Sequence, residues 1–378
     1  MKILIAPDKF KHSLSALEAA KSIAAGIKQA LPNAELVLKP MADGGEGTLD
    51  VLLAATGAEL RHSPVQDPLG RRISARWGWL AESQTALLEL AEASGLMRLK
   101  SHERDACHAS SFGTGELIRA ALDAKAKRII LGIGGSACVD GGSGLLQALG
   151  ARLLSAQGEP ITQGGAGLAQ LAQIDLAGLD ARLKQVTIEV LCDVDNPLCG
   201  AQGAAAVFAP QKGANREQVI TLETALARFA EQAKACLGQD FSHHPSSGAA
   251  GGIGFALQAF LHGQIMPGAT RVAEVIGLAE SLQDCDLVIT GEGSLDAQTL
   301  HGKTISGVLQ IVLAEQIPVI ALAGTLGEGY QALYAQGLTA AFSLAGSPIS
   351  LEFACQNAAY LLRERAQDIA RLCASFSA

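Results

Sequence analysis

The sequence predicts an α/β protein: a parallel sheet flanked by helices, into which a second, mixed α/β domain is inserted. Three observations carry this. Short apolar runs alternate with helical stripes at the start of the chain and again after about residue 266. Between residues 61 and 90, three strand-like runs follow one another with no helix between them. The length, 378 residues, suits two domains better than one. The expected division is 1–60 plus 266–378 for the outer domain and 61–265 for the insert.

Taken in order, residues 3–6 read as a buried strand that ends at Pro7 and Asp8. Ser15 and Glu18 form a capping-box pattern, and Leu17, Ile23, Ile27 and Leu31 supply the helical stripe that Pro32 stops. Residues 35–39 read as the second strand, with a helix from about Thr48 to Ala55 that Gly57 ends. The period then becomes that of strands at 61–66, 72–80 and 84–90, with Asp67-Pro-Leu-Gly70 as the first turn. Helix opens at Phe112, and residues 128–133 and 186–191 read as strands. Residues 151–185 have little pattern, and Asn215 can cap a long helix to about Cys236. Residues 246–254 read as a glycine-rich loop entering a helix.

Alternation returns with a helix over about 270–282. Strands follow at 286–290, 318–323 and 339–342, each with a helix behind it. The third of the five outer strands is expected to break at Gly291-Glu-Gly293. Five such strands in the order 2-1-3-4-5 make a flavodoxin-like sheet, whose ligand crevice lies beyond the carboxyl ends of the first and third strands. Those ends are 8–11 and 291–303.

Composition narrows the function. A net charge of −8 without a long basic run argues against nucleic acid as a partner. No apolar run approaches the roughly 20 residues of a membrane span. The eight cysteines are scattered without a Cys-x-x-Cys pair, and the start does not read as a signal peptide, so a cytoplasmic protein is expected. The 42 glycines gather in a few loops, as where backbone approaches a ligand.

Several of these loops carry acids. Asp43-Gly-Gly-Glu-Gly47 stands at a helix N-terminus, whose free N–H groups suit an anion, although Glu46 would repel a bare phosphate and fits a metal ion or a hydroxyl better. The run 134–144 could cradle phosphate on its amides. A dinucleotide fingerprint there is weak, because Asp140 sits inside the loop. Asp193 or Asp195 could orient a hydroxyl or hold Mg²⁺. Gly302-Lys303-Thr304 has the end of a P-loop, but the motif's first glycine would fall on Ala297, so no Walker A motif is present. Amide and lysine donors, carboxylates for Mg²⁺ and an acid to position a hydroxyl are the parts of phosphoryl transfer.

Seven segments in order resemble the type I glycerate kinase family, bacterial enzymes that phosphorylate D-glycerate with ATP. APDKFKHSLSA (6–16) is similar to APDSFKGSLSA, and KPMADGGEGT (39–48) is identical to the family form. GGSACVDGG (134–142) resembles GGSATNDGG, CDVDNPL (192–198) resembles CDVTNPL, and FAPQKGA (208–214) resembles FGPQKGA. GAAGGIG (248–254) resembles GAAGGLG, and GEGSLDAQTLHGK (291–303) resembles GEGRLDGQTxxGK. Lys9, His12, Cys138, Val139, Asp195 and Ser294 depart from these patterns, but no carboxylate and no Lys303 is lost.

The resemblance implies a flavodoxin-like domain with an inserted restriction-endonuclease-like domain, and ATP- and Mg²⁺-dependent phosphorylation of glycerate in the cleft between them. It favours 2-phosphoglycerate over 3-phosphoglycerate. The catalytic candidates are Asp193 and Asp296, which orient the acceptor hydroxyl or Mg²⁺, and Lys11 and Lys303, which neutralise phosphate or the glycerate carboxylate. The binding candidates are Asp8, Asp43, Gly44, Gly45, Glu46, Gly134, Gly135, Ser136, Asp140, Gly141, Gly291, Glu292, Gly293 and Ser294. Asp193 and Glu292 are the candidates for Mg²⁺. Small molecules are the expected partners, to a monomer or homodimer. The rivals are a nicotinamide-dependent hydroxy-acid dehydrogenase and a non-catalytic binder of a small organic acid.

Overall fold

A computed structural model describes residues 1–300 and 304–376. In chain order the strands are β1 (Lys2–Pro7), β2 (Glu35–Leu38), β3 (Glu59–Gln66), β4 (Arg72–Leu80), β5 (Thr85–Glu89), β6 (Arg128–Gly132), β7 (Arg152–Leu154), β8 (Gln173–Asp175), β9 (Thr187–Leu191), β10 (Gln264–Met266), β11 (Leu287–Leu295), β12 (Val319–Leu326) and β13 (Ala340–Ser343). The chain divides into two compact units. The first comprises Met1–Asp43, Asp50–Thr56 and Pro267–Ala378; the second comprises Gly44–Leu49 and Gly57–Met266.

The first unit is built on a five-stranded sheet in the order β2-β1-β11-β12-β13, every pair parallel. Counted along this unit alone, that is the flavodoxin-like order 2-1-3-4-5. Ile3, Leu4, Ile5 and Ala6 of β1 are at most 1% exposed, which is why this strand reads as a continuous apolar run rather than an alternating one. Helix Ala16–Ala30 begins at the capping box: Glu18 N–H donates to Ser15 Oγ, and Ser15 N–H donates to Glu18 Oε2. It buries Ala19, Ala20, Ile23 and Ile27 and packs on helix Ala358–Phe376. Each buried isoleucine contributes on the order of 2 kcal/mol.

Two sequence expectations change here. The third strand does not break at Gly291-Glu-Gly293. β11 runs on to Leu295, because β12 continues beside it with Glu292 opposite Ala323 and Ser294 opposite Thr325. The helix expected over 270–282 is divided into Gly268–Val275 and Leu278–Ser281 by Gly277, whose φ of 67° lies outside the right-handed helical region.

The second unit holds a mixed six-stranded sheet, β10-β9-β6-β5-β4-β3. β10, β9, β6 and β5 are mutually parallel, and β5, β4 and β3 form the antiparallel meander. Residues 151–185, featureless in sequence, contain the short antiparallel pair β7–β8 and two 3₁₀ turns. The long helix Arg216–Leu237 is capped by Asn215, with Gln218 completing the box, and ends at Gly238. One continuous apolar core, including Trp77, Leu88, Leu131, Phe229 and Phe255, lies within this unit.

Candidate active site

In the first unit, acids collect where β1 and β11 end. Asp8 N–H donates to Gly291 O at 2.8 Å, extending the β1–β11 ladder by one residue. The Asp8 side chain is only 5% exposed. Its Oδ1 accepts from Lys9 N–H at 2.6 Å, and its Oδ2 accepts from the Thr304 hydroxyl at 2.5 Å. Lys9 Nζ pairs with Asp43 Oδ1 at 3.1 Å. Burial, and then the neighbouring Asp43 carboxylate, push the Asp8 carboxyl up to about 6, against the opposing pull of Lys9 and its hydrogen bonds. An acid with its pKa nearer neutrality, at the carboxyl end of a central parallel strand, is suited to proton transfer.

The rest of this end is ordered by Thr299. Its hydroxyl donates to Glu292 Oε1 at 2.9 Å and accepts from Asp296 N–H at 3.2 Å. The structure therefore gathers Asp8, Asp43, Gly291, Glu292, Gly293 and Asp296 in one unit. Gly293 Cα carries no side chain where a Cβ would lie 3.4 Å from Lys11 N. Lys11 is exposed, as is Ser294 on β11. Lys303 lies outside the described residues.

The second unit brings together Gly44–Gly47, the loop after β6 and the end of β9. Gly134 N–H donates to Gly44 O at 3.0 Å. A Cβ on Gly134 would stand 2.5 Å from Gly45 Cα, so the two backbones can meet here only because position 134 is glycine. The Glu46 side chain lies against Gly135. Beyond β9, Asp193 is half-buried and Asp195 exposed.

The helix that follows Gly47 does not offer a free N-terminus to an anion, as its sequence suggested. Glu89, at the end of β5 and 4% exposed, accepts from Gly47 N–H at 3.2 Å and from Leu49 N–H at 2.9 Å. An internal carboxylate already satisfies two of the amides at that helix start, those of Gly47 and Leu49. Glu46 is thus left beside the loop rather than on the helix dipole.

Asp140 is fully buried and holds the loop from inside. Oδ2 accepts from Ser111 N–H and Oγ, both at 2.8 Å, and from Gly144 N–H at 3.2 Å; Oδ1 accepts from Gly142 N–H at 3.0 Å. Gly141 N–H is bound to Gly251 O at 3.0 Å. Residues 250–252 all have positive φ, and a Cβ on Gly251 would fall 2.0 Å from Cys138 O. That close approach explains the glycines of 248–254 within an otherwise helical stretch.

These glycine-acid loops are those of a known family. The model of the glycerate kinase family matches residues 3–374. The chain belongs to the glycerate kinase family. It is 46% identical over 370 residues to glycerate kinase of Bacillus subtilis (strain 168), covering 98% of this chain and 97% of that one. It is 45% identical over 358 residues to glycerate 2-kinase of Escherichia coli (strain K12), covering 95% and 94%. A crystal structure provisionally assigned as glycerate kinase 2 from Salmonella typhimurium LT2 superposes with a TM-score of 0.86 at 47% identity, covering 100% of this chain and 99% of that chain.

As a member of the glycerate kinase family the chain is a phosphotransferase, and a phosphate donor and glycerate are its small-molecule substrates. Among the described residues no helix is long and apolar enough to cross a membrane. Three side chains that shape the site escaped the sequence reading. Thr304 and Glu89 are buried partners of acids or amides in the glycine loops. The third is Lys212, 3% exposed, whose Nζ donates to Ser136 Oγ at 2.7 Å and to Cys138 O at 2.8 Å. The FAPQKGA segment contained it, but nothing in its spacing showed that the lysine turns inward.

Among the described residues no group of three or more His, Cys, Asp or Glu side chains could hold a metal ion. Mg²⁺ does not require such a cage. It keeps several waters and binds through one or two carboxylates together with substrate phosphates. Carboxylates with partly exposed side chains, such as Asp193 and Glu292, fit that mode.

Proposed function

We propose that this chain transfers the terminal phosphoryl group of ATP to the 2-hydroxyl of D-glycerate, giving 2-phosphoglycerate, in the cytoplasm. The observation that carries the reading is the buried Asp8 carboxyl with its raised pKa beside Asp43, at the end of β1. A carboxylate in this setting can accept the proton of the attacking hydroxyl near neutral pH. Asp193 and Asp296 orient the acceptor hydroxyl. Lys11 and Lys303 neutralise the phosphates or the glycerate carboxylate. Loop 134–142 approaches the phosphate donor at its unburied start, Gly134 and Gly135, and 291–293 supplies further close backbone contact.

Mg²⁺, with Asp193 or Glu292 as a ligand beside the phosphates, would supply charge neutralisation as the transferred group departs. The chain's own residues do the remaining work: they align the hydroxyl with the phosphorus, take up its proton and keep water away. Because metaphosphate-like transfer asks little covalent chemistry of a protein, positioning and electrostatics carry most of the rate.

One coupled assay tests the reading. ADP release that requires both D-glycerate and Mg²⁺ supports it, and phosphorus NMR of the product distinguishes the 2-phosphate from the 3-phosphate. A 3-phosphate product would overturn the choice of hydroxyl. NADH formation without ATP would overturn the whole assignment.

A further inference from the structure

A lysine without a carboxylate at hydrogen-bonding distance is an unusual occupant of a protein interior. Lys212 ends the 3₁₀ turn Pro210–Lys212, and its side chain enters the second unit beneath the loop that follows β6. Its two acceptors are a hydroxyl and a main-chain carbonyl, both in that loop. An ammonium has three N–H groups, and among the described residues no other acceptor is within reach. The nearest charged partner is Asp140, whose two oxygens already serve Ser111, Gly142 and Gly144. Burial lowers the Lys212 pKa to about 8, and Cys138 and Asp140 only partly oppose this.

A neutral side chain could tie Ser136 to Cys138 without the penalty of burying a charge. The other anchors of segment 135–137 are backbone contacts, Ala137 N–H to Ser94 O and Leu96 N–H to Gly135 O, while the Asp140 carboxylate holds the loop further on. The charge therefore needs a reason beyond tethering. The proposed reading supplies one, since it sets the start of the same loop, where Gly134 and Gly135 are not buried, against an anion in a chain of net charge −8.

We propose that Lys212 is a positioning residue of the kinase reaction: its ammonium fixes segment 136–138 and places a buried positive charge behind the loop start, Gly134 and Gly135, to which that reading brings the nucleotide's phosphates. This rests on the assignment of loop 134–142 to the phosphate donor. Lys212 touches the loop, and acts on the substrate through it.

Lys212→Met removes both hydrogen bonds and the charge. Lys212→Gln removes the charge and keeps amide donors, on a side chain one bond shorter. Both are to be measured in the full-length enzyme, with folding verified by circular dichroism. The expected result for each is a rise of about tenfold in KM for ATP, with KM for D-glycerate within about threefold of the parent. Amide exchange of segment 136–142 is expected to accelerate in the Met variant and to stay near the parent rate in the Gln variant. If Lys212→Met does not fold, the Gln variant alone decides the KM outcome. A folded variant with KM for ATP within about twofold of the parent overturns the proposal.

Exchange in the parent enzyme separates the two layers of the argument. Slowed exchange of 134–142 on adding ADP, together with a parent-like Lys212→Gln variant, removes Lys212 from the machinery but leaves the loop assignment standing. No slowing with ADP removes the loop assignment, and the role of Lys212 with it.

Discussion

Asp8→Asn is expected to stabilise the protein at neutral pH while nearly abolishing activity. Raising a carboxyl from 3.8 to about 6 in the folded state corresponds to about 3 kcal/mol against the ionised form. The sign follows from proton counting. Between those two values the native state binds more protons than the unfolded state, so stability falls as pH rises through the window. The penalty is complete above about pH 7 and absent below about pH 4. Asparagine carries no charge at any of these values and so escapes it. Against this stands a poorer set of hydrogen bonds, since one of the two donors, Lys9 N–H or the Thr304 hydroxyl, meets an amide nitrogen; that loss is about 1 kcal/mol. The net expectation is a gain of about 2 kcal/mol near pH 8 and a loss of about 1 kcal/mol near pH 4. Urea unfolding of parent and variant at both pH values measures the difference. The turnover rate should fall at least about a hundredfold, close to 3 kcal/mol of barrier. A stability difference of the same sign and size at both pH values would refute the reasoning, because it would mean that Asp8 is not held against its own ionisation.

The remaining expectations concern the second unit and the catalytic candidates. Glu89→Gln keeps one good acceptor and turns an N–H donor towards Gly47 or Leu49; unfolding in urea should show a loss of about 2 kcal/mol. Asp140→Ala leaves Ser111, Gly142 and Gly144 without their common acceptor, and should cost about 3 kcal/mol in the same assay while raising the exchange rate of the loop amides. Asp193→Ala and Lys303→Ala should each lose at least about a hundredfold in kcat/KM with the fold retained; near-normal rates in both would withdraw their assignment.

The order of the first sheet was legible because its central strands, β1 and β11, are largely buried on both faces and its first helix carries a capping box. Ile3–Ala6 advertises a central parallel strand by apolarity alone, and Ser15 with Glu18 marks a helix start to the residue. The extent of β11 was not legible. Its glycines look like a turn in one dimension, and only the pairing with β12 makes them strand. Gly277 misled in the other direction, since a lone glycine in an amphipathic stretch is often tolerated in a helix, and its left-handed φ is decided by tertiary packing. Residues 151–185 lacked periodicity because β7 and β8 are three residues each, too short to show one.

The site divides along a different line. Some acids announce themselves in a sequence, because Asp43 and Glu46 stand in a glycine run that a purely structural turn would not need, Glu292 lies between two glycines and Asp193 closes an apolar strand. The buried groups that hold the neighbouring backbone and Asp8 do not. Glu89 stands in an apolar strand, Lys212 follows a proline turn and Thr304 opens a helix, and each reads locally as solvent-facing or incidental. What makes them consequential is burial, which turns a modest Coulomb interaction in water into one large enough to move a pKa or to occupy a helix end. Glu89 and Asp43 show the contrast. Both are carboxylates near the DGGEG segment, but one is consumed by the amides of Gly47 and Leu49, and the other helps to hold Asp8 close to neutrality. Sequence spacing treats the two as equivalent acids. Their partners give the first a structural duty and make the second a neighbour that raises the Asp8 pKa.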